Sequence, residues 1–492
     1  MLFRIVSRPR KRVWVAAWIG LGVLYSNTVY AAEDQPDVSL GKIANTFEQL
    51  RVTKLADQLI HYLVKAIEWV DKPEANLPLS ALAPIIRTAV LAHPEVRLTQ
   101  EQSATATMAT REAFAGFLPQ VSANIESGKR QYELVNTPWN YSPEHEDNSK
   151  AVAFSAHQLI YDYGAVRGQV NARTALEKAA NARSELKSSE LTLRALTAWL
   201  EMFRSRQMLD LSAMNVLSRQ QILTFIEERE QLGGSSQSDV LRARARLADA
   251  QVAAVAARTR LTAADAVYRE VFNVAAPAQL ALPQVADMPM DQFANREDLY
   301  SRSAQLSEAR AQTQAAGFEA QSAAAALLPS IHLDVTARRR DLGGQGVPGT
   351  DWTAGVNFKQ NLYSGGSELA RKQQAEQRAK ESQLTEDNLK RQLERALAQS
   401  VADVNSSTAA VAARKEAAKV AAVALEAVRE QFAFRRGSLL DLLRAQEELY
   451  IAGRDLIDGI VDHSLVRYRL LHLAMALNPM FGIPVGSTVT GN

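Results

Sequence analysis

Histidine, the commonest metal ligand and proton-transfer residue near neutral pH, occurs seven times without a spacing that supports either role. No His-Glu-x-x-His sequence is present, and no two histidines stand at the separation of a metal-binding helix or finger. The positions are His61, His93, His145, His157, His332, His463 and His472. The histidines therefore predict neither a catalytic site nor a metal site.

Other reactive residues are also missing or badly placed for catalysis. The chain has no cysteine, which excludes disulfides, thiolate metal sites, cysteine nucleophiles and the lipidated cysteine of a lipoprotein. Glycines cluster at 343–349, but no Lys-Ser or Lys-Thr follows them, as a phosphate-binding loop requires. We predict no enzymatic activity and no cofactor, so that any energy that the protein uses comes from a partner protein.

Charged residues do recur at two similar places, where they could form ion pairs. Asp239 follows a break at Gly233-Gly234, and Asp441 follows a break at Gly437. Arginines accompany both aspartates, at Arg242, Arg435, Arg436 and Arg444. Exposed ion pairs contribute only ~0–1 kcal/mol each, although a network can bias a conformational equilibrium. We predict that the aspartates pair with these arginines; the alternative is ordinary solvated helix charge.

These two places belong to a larger internal repeat. Tyr161-Asp162-Tyr163-Gly164 matches Tyr363-Ser364-Gly365-Gly366 at an offset of 202 residues. Asp239-Val240-Leu241-Arg242 matches Asp441-Leu442-Leu443-Arg444 at the same offset. Recurrence of motifs at a fixed separation indicates a duplicated structural unit.

The repeat sets the predicted domain boundaries. Pro119 and Pro329 correspond at an offset of 210 residues, so the difference in length falls between each proline and its tyrosine, where a loop would lie. The two units are predicted at 82–275 and 297–478, joined by a proline-containing linker at 276–296. Outside them we predict a signal peptide at 1–31, an N-terminal extension of unknown role at 32–81 and a C-terminal tail at 479–492.

The beginning of the chain is typical of a secretory signal. Five basic residues between Arg4 and Arg12 precede a mostly apolar run from Val13 to Leu24, and Ala31 offers a cleavage site. The alternative is a membrane anchor, but the run is shorter than the ~20 residues that a spanning helix needs. The net charge of +2 gives no reason to expect a nucleic-acid partner.

Apolar residues alternate with polar ones in four segments, which predicts strands with one apolar and one polar face. Two of them begin at Val121 and at Ile331, just after the prolines. Two more return at 151–161 and around Ala354–Phe358. Polar loops are predicted between the members of each pair, at Tyr132–Lys150 and at Asp341–Asp351.

Long segments of good helix formers follow each pair of strands. Ala165–Leu232 contains no proline and one interior glycine, and Ser367–Arg436 contains neither residue, so each predicts a helix of roughly 100 Å. A second helix follows each break and runs to about Phe272 or Leu477. Further helices are predicted at 82–116, interrupted at His93-Pro94, and from Phe47 to Val70.

Strands of about ten residues are long enough to span a membrane, but four of them cannot close a barrel. Only closed barrels place strands in lipid, and the usual minimum is eight strands. The strands therefore need partners from other copies, and three copies would give twelve. The alternatives are a soluble coiled-coil protein of the cell envelope with incidental hairpins, and a structural or adhesive surface trimer.

The chain resembles the outer-membrane efflux proteins of the TolC type from about Leu82 to about Asn478. The residues that carry the resemblance are His93-Pro94-Glu95-Val96, Gly116-Phe117-Leu118-Pro119, Gln158–Gly164, Gln360–Gly366, Ser238–Leu241 and Ser438–Leu443. The resemblance implies a mainly α protein with a small β part and a two-fold internal repeat. It implies a homotrimer with a twelve-stranded transmembrane β-barrel, four strands per protomer, above an α-barrel of long antiparallel helices.

The resemblance also implies the place and partners of the protein. It would lie in the bacterial outer membrane, in contact with lipid, and reach through the periplasm to an adaptor protein and an inner-membrane pump. Its C-terminal tail would lie in the periplasm. Gly233-Gly234-Ser235-Ser236 and Ser438–Leu443 look like the type I secretion branch, whose pump is an ABC transporter and whose cargo is an unfolded protein. The alternative is a tripartite efflux pump, for instance one driven by an RND transporter.

Three groups of candidate residues follow from the resemblance. The breaks at Gly233, Gly234 and Gly437 would form the periplasmic tip, where Asp441 matches an aspartate that rings the constriction and Arg444 replaces a second acidic residue. Helix-to-strand joints are expected at Pro119 and Pro329, and strand-to-helix joints at Tyr161, Gly164, Tyr363 and Gly366. Interfacial aromatic belts are expected from residues near the predicted strand ends, namely Tyr132, Trp139, Tyr141, Tyr161, Trp352 and Tyr363. For Trp139 and Tyr141 the alternative is packing within the loop.

Overall fold

The computed structural model describes residues 57–72, 76–132, 145–284, 296–340 and 349–484, with the side chains of 129–149 and Arg296 excluded. The predicted signal peptide and the belt candidates Trp139 and Tyr141 lie outside the described residues, as does the side chain of Tyr132. In the described part of the chain, no helix is both long and apolar enough to cross a membrane.

Three helices precede the first strand: α1 (Asp57–Asp71), α2 (Leu79–Ala92) and α3 (Pro94–Phe114). His93 separates α2 from α3, as the sequence predicted, and its Nδ1 accepts a hydrogen bond from the backbone N–H of Glu95 at 3.2 Å. Pro94 fits the first helical position because its missing N–H would have no partner there. A single 3-10 turn, Ala115–Phe117, ends the helical segment before Pro119.

Four strands form one antiparallel sheet in the order β1 (Gln120–Tyr132), β2 (His145–Tyr161), β3 (Ser330–Arg340) and β4 (Gly349–Lys359). The β2–β3 pairing joins the two halves of the chain. The predicted loops were too long, because β2 begins at His145 and β4 at Gly349. The segment from His145 to Lys150 lacks apolar alternation, but its backbone pairs with β1 and so extends the strand.

Four long helices form most of the molecule: α4 (Ala165–Gln231), α5 (Gln237–Phe272), α8 (Ser367–Ala433) and α9 (Leu439–Leu473). Both α4 and α8 have 67 residues, and α5 and α9 have 36 and 35. Between the halves lie the short helix α6 (Arg296–Arg302) and α7 (Ala304–Ala325). A final turn, α10 (Leu477–Met480), packs on α4.

The helices pack side by side in a single layer whose composition changes along its length. Next to the sheet the order is α3, α4, α7 and α8, and farther from the sheet it is α5, α4, α9 and α8. Small residues make the first section close-packed: a Cβ at Gly168 of α4 would lie 2.8 Å from the Cβ of Ser322 of α7. The larger apolar core lies farther along, where α1, α2 and α10 add to the four long helices.

Helix α1 falls in the N-terminal extension, for which the sequence suggested no role. It packs against α4, α8 and α9, with Leu59, Leu63 and Ala66 fully buried. Leu63 lies so close to α9 that a Cβ at Gly453 would stand 2.5 Å from its Cδ1. Tyr62 donates a hydrogen bond to Oε1 of Gln207 on α4 at 2.7 Å. The extension therefore joins helices from both halves of the chain.

Two ion pairs fix the ends of α1 on α8. Asp57 pairs with Arg429, and Asp71 pairs with Lys415. The two aspartates are as far apart in sequence as their two partners, and the first aspartate pairs with the later partner. The two helices therefore run antiparallel, with an ion pair at each end of α1.

Truncation of Leu63 tests whether α1 stabilises the molecule. We expect Leu63→Ala to lower the free energy of unfolding by about 2–5 kcal/mol, because it removes a side chain that is 1% exposed and leaves a cavity against α4 and α9. The neighbouring Val64 is 50% exposed, so Val64→Ala is the matched control and should cost well under 1 kcal/mol. Denaturant unfolding followed by circular dichroism measures both; equal effects would contradict the packing role.

Candidate functional site

The sheet has one apolar face that no described element covers. Along each strand every second residue points to this face, and the cross-strand register brings the apolar residues into rows, such as Ile125–Val152 and Ile331–Phe358. Several are more exposed than is usual for their type, including Ile125 at 77% and Trp352 at 76%. The other large exposed members are Val121, Phe154, Val335, Val356 and Phe358. A contiguous exposed apolar surface of this kind marks contact with a membrane or a partner.

The opposite face of the sheet is polar and internally hydrogen-bonded. His157 on β2 contacts Asp334 on β3, with Nδ1 and Oδ1 2.5 Å apart. Arg338 on β3 reaches across β2 to Glu126 on β1, where Nη2 and Oε2 are 2.8 Å apart. The crossing is possible because β2 presents small alanines at this level, of which Ala151 lies opposite Glu126. A sheet that is apolar on one side and polar on the other has the pattern of a barrel around a water-filled channel.

The sheet is open at both sides. Among the described residues, β1 pairs only with β2, and β4 pairs only with β3. Each outer edge therefore presents a row of backbone N–H and C=O groups that can pair with a strand of another chain.

The joints between helix and strand use the residues that the sequence singled out. Pro119 and Pro329 each stand directly before a strand, after turns closed by Leu118 N–H to Ala115 C=O at 3.0 Å and Leu328 N–H to Ala325 C=O at 2.9 Å. Gly164 and Gly366 cap the long helices with φ of +90° and +81°, a conformation that glycine adopts without strain.

The aromatic residues at these joints differ in their surroundings. Tyr161 is half-exposed and contacts Tyr163, with ring centroids 4.7 Å apart. Tyr363 is almost fully exposed at the equivalent place. Both lie at the sheet end nearest the long helices, whereas Trp352 lies toward the other end of β4. Exposed aromatics at both ends of an apolar band fit an interfacial belt.

At the far end of the helices, two turns of the same design join α4 to α5 and α8 to α9. Ser236 and Ser438 cap the second helix of each pair, and Asp239 and Asp441 complete a capping box with them. The left-handed residue of the first turn is Gly233, with φ of +74°, while the second turn has Arg435 there, with φ of +59°. This role of Arg435 was not predicted from the sequence. The predicted turn residue Gly437 lies in the same turn and is needed there for space, because its Cβ would lie 3.1 Å from the backbone nitrogen of Phe432.

The predicted charged residues all lie at or next to these turns. Asp239 stands 3.9 Å from Nη1 of Arg242, and the hydrogen bond from the Ser438 hydroxyl holds the pKa of Asp441 below its usual value. Arg435, Arg436 and Arg444 are exposed. Within one chain both aspartates thus complete capping boxes, and the wider network with the arginines stays a prediction.

A buried arginine near the turns was not found from the sequence. Arg219 on α4 is 1% exposed and donates hydrogen bonds to the backbone C=O of Leu443 at 3.1 Å and to Oε2 of Glu447 at 2.8 Å, both on α9. Burial lowers its pKa. Beside it, Gln446 donates to the Ser218 hydroxyl at 2.8 Å. In a helix rich in solvated charges nothing in the sequence distinguishes this arginine, yet it fixes α9 on α4.

The sequence matches the model of a protein family described as outer membrane efflux protein over residues 85–269 and 296–459, more than half of the chain. It is 26% identical over 391 residues to the outer membrane efflux protein BepC of Brucella suis, covering 77% of this chain and 80% of that protein. It is 24% identical over 379 residues to the alkaline protease secretion protein AprF of Pseudomonas aeruginosa, covering 74% and 78%.

Solved structures share the fold at low sequence identity. The outer membrane protein VceC of Vibrio cholerae superposes with a TM-score of 0.71 at 18% identity, covering 81% of this chain and 96% of VceC. A membrane protein from Pseudomonas aeruginosa gives a TM-score of 0.72 at 16% identity, covering 80% and 92%.

The left-handed residues at the two turns allow a matched test. An arginine in this conformation costs roughly 1–2 kcal/mol, so Arg435→Gly should stabilise its turn and slow amide exchange at 430–434 about fivefold. Gly233→Ala should do the opposite at 228–232. Gly317→Ala in α7, where a Cβ meets nothing within 4 Å, is the control and should leave both turns unchanged. Hydrogen–deuterium exchange measures all three; faster exchange in Arg435→Gly would contradict the assignment.

Proposed function

The chain belongs to the outer membrane efflux protein family, and from this premise we propose that it is the exit duct of a type I protein secretion system. Members of the family are outer-membrane channels that reach into the periplasm, so the chain is a channel and not an enzyme. In the proposed system the channel docks to a periplasmic adaptor and an inner-membrane ABC transporter, and the transporter supplies the energy.

The proposal of secretion rests on the likeness to the alkaline protease secretion protein AprF, together with the Gly-Gly-Ser-Ser turn at 233–236. A second candidate function has its own support, since the likeness to the outer membrane efflux protein BepC extends over a similar share of the chain. In that case the same duct would serve a tripartite pump for small molecules, and the inner-membrane partner could be an RND transporter.

We propose that three copies form the channel, on the evidence of the open sheet. In lipid every backbone polar group needs a partner, and four strands with two free edges cannot supply one. Joining β4 of one copy to β1 of the next would satisfy both edges, and three copies would close a barrel of twelve strands. The apolar face would then meet lipid, and the face with His157, Asp334 and Arg338 would line the channel.

The outer edges of the helical layer support the same closure. On α5, Val252 and Val255 are exposed one helical turn apart. On α8, at the other side of the layer, Val420 and Val423 show the same spacing and exposure. An apolar strip on each side of a layer can bury against the opposite strip of the next copy, which is the contact of a cyclic oligomer.

We further propose that the turns at 232–236 and 434–438 form the periplasmic tip that docks the adaptor and closes at rest. In a trimer, three copies of Asp441 and Arg436 would surround the axis. Ion pairs between neighbouring copies would then add a closing force to the contacts within each chain.

A charge placed on the proposed interface tests the oligomer. We expect Val255→Asp to convert trimers into smaller species, because the carboxylate would be buried against an apolar strip without a partner. Val64→Asp, on the exposed side of α1, is the control and should remain trimeric. Mass photometry of the detergent-purified protein measures the assembly; a stable Val255→Asp trimer would contradict the proposed contact.

Removal of charge tests the tip. We expect Asp441→Asn and Arg436→Gln channels to conduct several times more current than the unaltered channel in planar bilayers, since each loses ion pairs that favour closure. Asn keeps an oxygen for the Ser438 hydrogen bond, so the helix cap is preserved. Asp265→Asn is the control, because Asp265 pairs with Arg269 on its own helix, 26 residues beyond Asp239. Unchanged conductance in both tip variants would refute the gate.

Deletion of the protein distinguishes the two transport functions. If secretion is correct, a polypeptide should disappear from the culture medium while susceptibility to small toxic compounds stays the same. Re-expression of the chain is the control and should restore that polypeptide. Unaltered medium with raised susceptibility would reject secretion in favour of small-molecule efflux.

A further inference from the structure

Three consecutive arginines end strand β3, and they do not share a face. Arg338 and Arg340 point to the polar face, where they pair with Glu126 at 2.8 Å and with Asp351 at 3.1 Å. Arg339 lies between them in sequence and therefore points to the opposite, apolar face. It is exposed there, and its cross-strand neighbours are Val152 on β2 and Thr350 on β4, which carry no charge.

A second basic residue lies beside Arg339 on the same face. Lys150 precedes Val152 by two residues, so it points to the same side of β2 and is exposed. Because Val152 is directly opposite Arg339, Lys150 is the diagonal neighbour of Arg339, at a Cα separation of roughly 7–8 Å. Long basic side chains at that distance can bind one anionic group together.

The pair stands at the outer limit of the apolar band. On β3 the outward positions Ile331, Leu333, Val335 and Ala337 are all apolar, and Arg339 is the next position. These four positions extend over roughly 20 Å of strand, which at a strand tilt of about 40° covers about 15 Å of the ~25 Å height of the lipid-facing band of a barrel. Trp352 is opposite Ala337 and thus marks the same level. The long helices leave from the other end of the sheet, so the pair faces the side away from the periplasm.

A charge on the lipid face is tolerated only near the interface. An arginine at the bilayer midplane of a barrel costs about 2–4 kcal/mol, and the cost falls to about 0–1 kcal/mol at the boundary. At the boundary the outer groups of the lipid, including phosphates, come within reach. Guanidinium binds phosphate through two parallel hydrogen bonds, and an adjacent ammonium adds a further donor.

We propose that Lys150 and Arg339 form a binding site for the phosphate group of outer-leaflet lipid. The site lies within one chain, so it does not depend on the proposed cargo or on the pump. Its continuity with the lipid-facing surface favours a phosphate attached to a lipid over a phosphate free in solution. Arg338 and Arg340 on the polar face are excluded from this role, because each already pairs with a carboxylate.

Native mass spectrometry of the detergent-purified channel tests the site with phosphatidic acid, which carries a phosphomonoester, and with phosphatidylcholine as the zwitterionic probe. We expect the unaltered channel to bind phosphatidic acid at least tenfold more tightly than phosphatidylcholine. The double variant Lys150→Gln/Arg339→Gln should reduce this preference to less than about twofold. Lys359→Gln is the matched control, since Lys359 is an exposed basic residue of the same sheet on the polar face.

A conservative variant and a competition measurement complete the test. Arg339→Lys keeps the charge but not the paired donors, so its preference should fall between those of the unaltered channel and the double variant. Circular dichroism and the mass of the assembly verify that each variant is folded. An unchanged preference in the folded double variant would overturn the site. If inorganic phosphate displaced bound phosphatidic acid as effectively as the same concentration of competing phosphatidic acid, the site would bind free anions. That result would overturn the proposal of a lipid ligand.

Discussion

The need to satisfy backbone polar groups away from water governs this structure. A strand in lipid must bond on both sides, and the sheet of four strands leaves the outer sides of β1 and β4 without partners in the described chain. The exposed apolar face makes a soluble monomer equally unfavourable, because side chains such as Ile125 and Trp352 would meet water. The closure that we propose, in which copies of the sheet pair with one another inside a membrane, would remove both problems.

The backbone N–H and C=O groups of the helices are hydrogen-bonded within each helix, so the helices can lie in water. What restricts the helices is how their side chains pack against one another. In α8 a buried residue recurs at every seventh position, from Leu397 through Val404 and Val411 to Phe432. On α4 the buried positions Gly168 to Ala182 recur at alternating spacings of four and three. Both patterns are those of coiled coils, in which a narrow apolar seam leaves the remaining surface polar. Narrow seams suit a wall that has water on both sides.

Sequence patterns predicted the features that depend on local periodicity. The strands, the long helices and their breaks follow from alternation, from helix formers and from residues that interrupt a helix. The joints at Gly164 and Gly366 were expected from the repeated motif, but their role as left-handed helix caps was not. Features that depend on distant partners were missed. The strand from His145 to Lys150 exists because β1 pairs with it, Arg219 is buried because α9 covers it, and Arg435 takes a left-handed conformation that only its equivalence to Gly233 could have suggested. Helix α1 was predicted, but its contacts with both halves were not.

The connections between helices limit how a tip could open. Arg219 and Ser218 fix α4 to α9 near the turns, and α1 fixes α4 to α8 farther along through Tyr62, Asp57 and Asp71. The turns themselves are held by capping boxes and short hydrogen bonds. Each helix pair is therefore stiff at its tip and anchored farther along, and separation of α9 from α4 would leave the buried guanidinium of Arg219 without its carboxylate. Loss of one partner from a buried ion pair costs about 3–5 kcal/mol, less where the partner is half-exposed as Glu447 is. In the proposed trimer, opening between neighbouring copies would leave this buried contact intact, so the contacts within a chain favour movement of each copy as a unit over movement of α8 and α9 alone.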